Sequence, residues 1–340
     1  MILAPKFMLY ALTRLLVFLI GSKEVHGLTG KRLFVFGNSY VDAGNTPSPY
    51  TDSWKTPYGS TFPGTPSGRW SDGRVWSDFI ALHLKLKSPP VPYEQRDQQK
   101  KAAWSRGMNF AYGGTGVFAT AAPFPTMTDQ INNFKAMISQ KVYKPSDLLT
   151  SVALISVAGD DLDYYNTQRK GNVTEQEWRA FQDTVVAQTM KNIQTIAGLG
   201  VKSIAVDSLQ PLGCLPSFSA AYGYRSCYQL ASNLSVYQNS QLLGNMTALA
   251  KKRRKTNFFY LDVFKSWNSV LNMTQYIPWK PCCVGTRKNT TCSSVDASGT
   301  ALYTVCDKLN STFYWDKAHP TQQGWNETYL DMTKPFKPLR

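Results

Sequence analysis

Several residue types and motifs that mark common kinds of functional site are scarce or absent in this chain. Histidine occurs only three times in 340 residues, at positions 26, 83 and 319. No two cysteines have the Cys-x-x-Cys spacing, and the cysteine-containing region has only His319, so no zinc cluster or other metal site is predicted. The glycine-rich stretch 109–116 is not followed by Gly-Lys-Ser/Thr, which argues against a phosphate loop. The sequence therefore predicts chemistry carried by side chains, without a metal or a cofactor.

Acidic residues are also few, with 22 Asp and Glu against 37 Lys and Arg and a net charge of +15. This balance predicts attraction to polyanions such as acidic polysaccharide or anionic membrane, with solubility alone as the alternative. The densest basic run, 251–255, ends a long helical pattern, where cations complement the helix dipole. We predict no nucleic-acid partner.

The N-terminal region is typical of a secretory signal. Residues 7–21 form an apolar run after Lys6 that is too short for a comfortable membrane span and is interrupted by Arg14. We predict a signal peptide over residues 1–27, with cleavage between Gly21 and Gly27. An uncleaved type II anchor is the alternative, and residues 28–340 are predicted to form a single domain.

Two further features agree with a secretory route to the cell wall or the Golgi lumen. Seven Asn-x-Ser/Thr sequons predict N-glycans, at Asn172, Asn233, Asn245, Asn272, Asn289, Asn310 and Asn326. All six cysteines follow residue 210 in loop-like sequence, which predicts three disulfides in an oxidising compartment without fixing their pairing. They are Cys214, Cys227, Cys282, Cys283, Cys292 and Cys306.

Short apolar runs alternate with longer helical patterns along the chain. The predicted strands are Leu33–Phe36, Val152–Val157, Ser203–Val206 and Phe258–Leu261, and the predicted helices are Val75–Leu86, Met127–Ser139, Thr174–Ala197 and Gln229–Lys252. This alternation predicts an α/β fold with a mostly parallel sheet covered on both faces. Residues 94–106 are predicted to form a charged surface loop, and the Pro/Gly/Ser-rich stretch 45–73 is long enough to suggest a functional loop.

Candidate site residues follow the predicted strands. Ser39 comes directly after the first strand, and 158–161 follows the second. The loop 109–116 allows close approach of its backbone and an amide for an oxyanion. His319 is the best candidate base because His26 lies in the targeting segment and His83 on a helix. Asp316, three residues before His319, can orient its imidazole.

At these residues the chain resembles the plant GDSL esterase/lipase family of SGNH hydrolases. The resemblance spans nearly the whole predicted mature chain and rests on motifs that occur in order. They are Phe-Gly-Asn-Ser-Tyr-Val-Asp-Ala-Gly-Asn at 36–45, Pro-Tyr-Gly at 57–59, Gly-Arg-Trp-Ser-Asp-Gly-Arg at 68–74, Asn-Phe-Ala with Gly-Gly at 109–114, Leu-Gly-Cys-Leu-Pro at 212–216, the cysteine pair at 282–283, and Phe-Tyr-Trp-Asp-Lys-Ala-His-Pro-Thr at 313–321.

The resemblance implies a three-layer α/β/α sandwich, flavodoxin-like in its layers, and ester hydrolysis through an acyl-enzyme. Carried over by position, Ser39 is the nucleophile, His319 the base and Asp316 its orienting acid. The oxyanion hole would combine the backbone N–H groups of Ser39 and Gly114 with the side chain at position 160.

Two positions depart from the family pattern. Asn38 replaces the Asp of the usual Gly-Asp-Ser, and Asp160 replaces the Asn of the usual Gly-x-Asn-Asp, followed by Asp161. An ionised Asp160 can only accept hydrogen bonds and would repel an oxyanion. Three explanations stay open: Asp160 is protonated and donates, Asn38 and Asp160 have exchanged roles, or catalysis is lost and a binding role remains.

The leading hypothesis is a monomeric, secreted serine esterase that removes small acyl groups, such as acetyl, from a wall polysaccharide such as xylan. Aromatic side chains near the site loops are candidates for stacking on sugars, although ordinary packing explains at least half of them. They are Trp54, Tyr58, Trp70, Tyr164 and Tyr165. The alternatives are a lipase acting on lipid esters, a catalytically silent wall-binding glycoprotein, and acyl transfer to an alcohol by the same residues.

Overall fold

The computed structural model describes residues 27–276 and 278–333. Of the predicted signal segment 1–27, only Gly27 is among these residues. Residues 334–340, the last seven of the predicted domain, also lie outside them. Within the described residues, no helix is long and apolar enough to cross a membrane.

A six-stranded sheet forms the centre of the fold, in the order β2-β3-β1-β4-β5-β6. Every neighbouring pair of strands in it is parallel. The strands are β1 Arg32–Phe36, β2 Val91–Pro92, β3 Gly107–Asn109, β4 Ser151–Ile155, β5 Ser203–Asp207 and β6 Asn257–Leu261. A separate antiparallel pair is formed by β7 Cys283–Gly285 and β8 Tyr303–Val305. The predicted parallel sheet is therefore confirmed.

Helices cover both faces of this sheet. They are α1 Trp76–His83, α2 Met127–Ser139, α3 Pro145–Leu148, α4 Asp160–Gln168, α5 Glu175–Gly198, α6 Pro216–Ser219, α7 Gln229–Lys252, α8 Val263–Leu271 and α9 Gln322–Met332. Short 3₁₀ helices occupy Ser48–Tyr50, Asp52–Trp54, Tyr93–Gln98, Lys101–Arg106, Leu212–Cys214, Ala220–Tyr222, Thr274–Tyr276 and Leu309–Ser311.

Alternation along the strands sends side chains into two cores. In β1, Leu33 and Val35 enter a cluster with residues of α1, α8 and α9, whereas Phe34 and Phe36 enter a cluster with residues of α2, α5 and α7. All four of these side chains are fully buried. The three layers predicted for this α/β/α fold follow directly from this two-sided burial.

The predicted strands and long helices agree with the structure to within about two or three residues at each end. Local capping explains the sharp helix starts: Thr126 accepts the Asp129 N–H while Asp129 accepts the Thr126 N–H, and Thr174 and Glu177 do the same for α5.

Two features differ from the sequence prediction. The segment predicted as a charged loop, 94–106, mostly forms the 3₁₀ helices Tyr93–Gln98 and Lys101–Arg106. The strands β2 and β3 were not predicted because two or three residues give no periodic signal. The glycine-rich loop follows β3 directly, and the next helix, α2, begins only at Met127.

The prediction of three disulfides is confirmed, and the structure supplies the pairs Cys214–Cys227, Cys282–Cys306 and Cys283–Cys292. The second and third pairs lie beside the segment that leads to Asp316. The N–H groups of Cys282 and Cys283 donate to the carbonyl oxygens of Tyr314 and Trp315. The disulfide-bonded hairpin is therefore fastened by backbone hydrogen bonds to the chain just before the Asp316–His319 turn.

Candidate active site

Ser39 lies in a tight turn at the carboxyl end of β1. The N–H groups of Val41 and Asp42 both donate to the carbonyl oxygen of Asn38. Gly37 makes the turn possible because its φ is +145° and a Cβ there would lie 2.4 Å from the Ser156 carbonyl oxygen. Ser39 is 7% exposed. Its position after the first strand, at the carboxyl edge of a parallel sheet, is where such folds bind ligands.

The structure brings Ser39, His319 and Asp316 together, although 280 residues separate the first two. His319 Nε2 lies 2.9 Å from Ser39 Oγ, and His319 Nδ1 lies 2.9 Å from each carboxylate oxygen of Asp316. Asp316 Oδ1 also accepts the backbone N–H groups of Ala318 and His319, which fixes the turn between them. A hydroxyl, an imidazole and a carboxylate are thus aligned in the order that proton transfer from a serine requires.

Aromatic residues hold this arrangement in place. The Trp70 ring stacks on the His319 imidazole with centroids 4.8 Å apart, and the Tyr40 ring meets it edge-on at 5.7 Å. The Tyr58 hydroxyl donates to Asp316 Oδ2 at 2.8 Å. Sequence spacing gave no sign of these roles, because the contacts join residues far apart in the chain. Tyr58 and Trp70 were predicted only as candidates for sugar stacking.

The pKa of Asp316 is lowered. Burial raises it, but the neighbouring His319 and the hydrogen bonds from His319, Ala318 and Tyr58 outweigh the effect of burial. Asp316 therefore stays ionised and accepts the Nδ1 proton of His319, which leaves Nε2 facing Ser39 without a proton when the imidazole is neutral.

Two backbone N–H groups are available near the serine. Within the described residues, neither the Ser39 N–H nor the Gly114 N–H donates to any protein atom. Gly114 has a φ of +74°, which glycine tolerates. Next to it, the Gly113 N–H is occupied by Asp42 Oδ2 and Thr46 Oγ1, so the loop is fixed one residue before Gly114.

Asp160 begins α4 after the short segment 156–159 that follows β4, and it is partly exposed. Burial of its carboxyl is the largest influence on its pKa, followed by the repulsion of Asp161, whereas His319 acts in the opposite direction. Together they raise the pKa of Asp160 to about 7. A large neutral fraction therefore exists near neutral pH, and a neutral carboxyl can donate a hydrogen bond.

Asn38, predicted as a supporting residue, is occupied by the backbone around it. Its Nδ2 donates to the Ser156 carbonyl oxygen at 3.2 Å, and its Oδ1 accepts the Tyr40 N–H at 3.1 Å. Its side chain is 1% exposed. These contacts make Asn38 a residue that shapes the Ser39 turn, and no hydrogen bond joins it to Asp160 in the described chain. The idea that these two residues exchanged roles gains no support from these contacts.

Asp161, the other predicted supporting residue, fastens the glycine-rich loop to α4. Its two carboxylate oxygens accept the N–H groups of Val117 and Phe118, both at 3.0 Å. Gly116 must be glycine because a Cβ there would lie 2.2 Å from Asp161 Oδ1. Asp161 therefore acts on the site indirectly, by holding the loop that carries Gly114.

A pH dependence of stability follows from three buried or partly buried carboxyls near the carboxyl edge of the sheet. Burial raises the pKa of Asp160 to about 7, of Asp161 to about 6 and of Asp207 to about 7. The folded chain then keeps protons that the unfolded chain has lost, so the free energy of unfolding falls as pH rises from about 4 to 7. We expect a higher Tm at pH 5 than at pH 8 by calorimetry.

Asp207→Asn tests the origin of this dependence, because Asn keeps an oxygen for the Trp76 Nε1–H that Asp207 accepts at 2.9 Å. The difference in Tm between pH 5 and pH 8 should shrink in this variant, whereas Asp183→Asn, at an exposed position, should retain it. A wild-type Tm that rises from pH 5 to pH 8 would contradict the assignment.

Comparisons with known proteins agree with this geometry. A family model described as GDSL-like lipase/acylhydrolase matches residues 33–328. The Arabidopsis thaliana protein GDSL esterase/lipase At5g03610 is 44% identical over 321 residues, which cover 91% of this chain and 88% of that protein. GDSL esterase/lipase At3g09930 of the same plant is 41% identical over 323 residues, covering 92% of this chain and 90% of its own.

A more distant Arabidopsis thaliana relative, named inactive GDSL esterase/lipase-like protein 25, is 28% identical over 86% of this chain and 68% of its own. The two relatives above 40% identity carry the esterase/lipase name without that qualification. The family model extends over most of the described residues and includes the Ser39 turn and the Asp316–His319 turn. The chain therefore belongs to the GDSL-like lipase/acylhydrolase family and is a carboxylic ester hydrolase of the esterase/lipase type.

Proposed function

We propose that Ser39, His319 and Asp316 are the catalytic triad of this ester hydrolase. The observation that supports it best is the set of three 2.9 Å contacts that link Ser39 Oγ, His319 and Asp316. His319 Nε2 takes the Ser39 proton as Oγ attacks the ester carbonyl, and then gives it to the departing alcohol. Water attacks the acyl-enzyme in the second half, again losing its proton to His319, and the carboxylic acid leaves as the Ser39 hydroxyl is restored.

In this proposal three donors stabilise the oxyanion: the N–H groups of Ser39 and Gly114 and the neutral carboxyl of Asp160. The available N–H groups and the raised pKa of Asp160 support it. A donor at this position is worth roughly a hundred- to thousandfold in rate. An ionised Asp160 repels the developing charge, so the proposal assigns activity to the protonated form.

The proposed substrate is a small acyl ester, such as acetyl, on a wall polysaccharide such as xylan, reached through the secretory pathway by a monomeric glycoprotein. The net charge of +15 suits an anionic wall. Six of the seven sequon asparagines are exposed, as N-glycans require, whereas Asn326 is half-buried. Of the five candidate sugar-stacking aromatics, Tyr58 is buried and Tyr165 stacks on Phe181, so packing explains these two.

Acetate release from acetylated xylan, compared with fatty-acid release from a triacylglycerol emulsion, tests the substrate class. The proposal expects release of acetate that disappears in a Ser39→Ala variant, with little hydrolysis of the lipid. Faster release of long acyl chains would favour a lipase, and acetyl groups found on an added alcohol would indicate acyl transfer. Polysaccharide binding without turnover of any ester would favour the silent wall-binding alternative.

Tyr58 is expected to be a positioning residue of the triad. In Tyr58→Phe the second carboxylate oxygen of Asp316 loses its hydroxyl donor in a buried place. We expect kcat to fall by roughly ten- to a hundredfold with little change in KM. The acid limb of the rate profile should move to higher pH, because the carboxylate then stabilises the imidazolium more strongly.

Tyr237→Phe is the matched control, since Tyr237 also donates to a carboxylate, Asp183 Oδ1 at 2.9 Å, but far from the site on a half-exposed surface. The role of Tyr58 is disproved if Tyr58→Phe keeps the wild-type pH profile, or if its activity falls only in proportion to a loss of folded protein in calorimetry.

A further inference from the structure

The edge of the sheet where the parallel strands begin, opposite the carboxyl edge, carries most of the net positive charge of the chain. Six segments form this edge because each leads into one strand: 28–32, 84–90, 100–106, 140–150, 199–202 and 251–256. The parallel registers place the starts of neighbouring strands side by side, about 4.8 Å apart. We call these six segments the basic edge.

The charge of the basic edge is almost entirely of one sign. It contains 15 of the 37 Lys and Arg residues of the chain, but only one of the 22 Asp and Glu residues, Asp147. The rest of the chain has nearly equal numbers of acidic and basic residues. The net charge of +15 is therefore concentrated on one side of the molecule, where it creates a directed field.

Most of these cations are exposed and unpaired. Twelve of the 15 are exposed, including all five of the run 251–255. Among the described residues, Arg32 is the one member of the set that forms an ion pair, with Asp147 at 2.7 Å. Lys202 connects two segments by donating to the Lys255 carbonyl oxygen at 2.9 Å. The positive charges therefore remain available to an anionic partner.

A groove of about 410 Å³ opens on the same edge between segments 100–106 and 140–150. Its lining includes Lys101 and Lys141, Trp104 and Gln140, together with the ion pair of Arg32 and Asp147. The lysines are therefore the cations of the groove that no carboxylate pairs with among the described residues. Trp104 is half-buried, and its carbonyl oxygen accepts the Tyr143 hydroxyl, which fixes the base of the groove. Lysines and an indole that line one groove match a carboxylated sugar, whose carboxylate pairs with lysine while its ring packs against the aromatic side chain.

We propose that the basic edge is a docking surface for an acidic polysaccharide, with the groove between 100–106 and 140–150 holding one of its uronic-acid units. A concave groove receives a polymer chain, whereas a flat bilayer surface does not enter it, so the polysaccharide fits better than an anionic membrane. The surface lies at the opposite end of the strands from Ser39. Docking there leaves the active site exposed to esters on neighbouring polymers.

This inference goes beyond the proposed function and does not depend on turnover. Binding of polygalacturonate, a polymer with one carboxylate per sugar, is measured by isothermal titration calorimetry at low and at moderate salt. Fully methyl-esterified polygalacturonate is the uncharged comparison. We expect binding to the acidic polymer that weakens as salt rises and little binding to the esterified one. Ser39→Ala should bind as the wild type does, which separates docking from catalysis.

Two variants locate the surface. The first changes the five cations 251–255 to Gln, and the second combines Lys101→Gln with Lys141→Gln in the groove. Affinity for polygalacturonate should fall about tenfold or more in the first and several-fold in the second, with unchanged hydrolysis of p-nitrophenyl acetate. The matched control changes five exposed cations outside the basic edge to Gln, and should keep its affinity within about twofold: Lys170, Lys265, Lys280, Arg287 and Lys288.

Three results would overturn the proposal. The first is a wild-type protein that does not bind polygalacturonate at low salt. The second is an equal loss of affinity in the control and in the 251–255 variant, which would mean that net charge alone matters. The third is tighter binding to phosphatidylserine vesicles than to polygalacturonate, lost in the same variants, which would make the surface a membrane contact.

Discussion

Ser39→Ala is expected to lower kcat for p-nitrophenyl acetate by roughly 10⁵- to 10⁶-fold. The substitution removes the only atom that the proposed mechanism uses to bond the acyl group, while the oxyanion donors and the binding surface remain. His319 Nε2 contacts Ser39 Oγ at 2.9 Å. Without that oxygen, the imidazole has no hydroxyl at this contact from which to take a proton. The measurement is initial-rate kinetics of the purified protein, together with mass spectrometry after labelling by a fluorophosphonate.

The label is expected on Ser39 in the wild type and nowhere in the variant. Ser217→Ala is the matched control, because Ser217 is an exposed serine that contacts the Asp316–His319 turn. Its N–H donates to the carbonyl oxygen of Lys317, which is two residues before His319 in the sequence. It should keep full activity and label at Ser39. An Ser39→Ala protein that hydrolyses the ester at more than about one hundredth of the wild-type rate would require a different nucleophile.

Asp160→Asn is expected to raise activity at alkaline pH and to remove a fall in rate that the wild type should show above about pH 7. The pKa of Asp160, raised to about 7 chiefly by burial and then by Asp161, leaves the carboxyl neutral and able to donate below that pH. Above it, the ionised carboxylate only accepts and repels the oxyanion. Asn donates at every pH.

At pH 6 the two proteins should therefore be within several-fold of one another, and at pH 9 the variant should be faster by up to roughly a hundredfold. The measurement is kcat from pH 5 to pH 9 with a short ester. Asp183→Asn changes an exposed carboxylate on α5 that is not among the groups acting on the pKa of Asp160, and should keep the wild-type profile. A slower Asp160→Asn enzyme at pH 9 would mean that the ionised carboxylate has a positive role, and the donor assignment would be wrong.

The two acids Asp316 and Asp160 contribute differently to this site because their hydrogen-bond donors differ. Asp316 accepts donors from His319, Ala318 and Tyr58, so its charge is stabilised despite burial. Asp160 has no side-chain donor within the described residues, so burial dominates and its pKa rises. The pKa of Asp316 is lowered, so it stays ionised, whereas the pKa of Asp160 is raised to about 7, and His319 acts on both acids. Separate roles for the two acids require such a difference in pKa.

The sequence by itself determined the fold class and the long elements, and it predicted the three residues of the proposed triad. Apolar runs such as 33–36 and 152–157 report burial on both faces, and that pattern is local, so the strands could be predicted without knowing their neighbours. The rarity of histidine and the Asp316–His319 spacing singled out the base, and the family motifs placed Ser39. The even set of cysteines predicted three disulfides, although not their partners.

The tertiary structure alone decided the contacts that tune these residues. Tyr58 reaches Asp316 across 258 positions and Trp70 stacks on His319 across a similar span. The chain must fold before such pairs meet, and the sequence carries no spacing rule for them. The same holds for the raised pKa of Asp160, which depends on desolvation, and for the basic edge. Its cations are spread over six segments of the sequence and come together only because parallel strands all begin on the same side of the sheet.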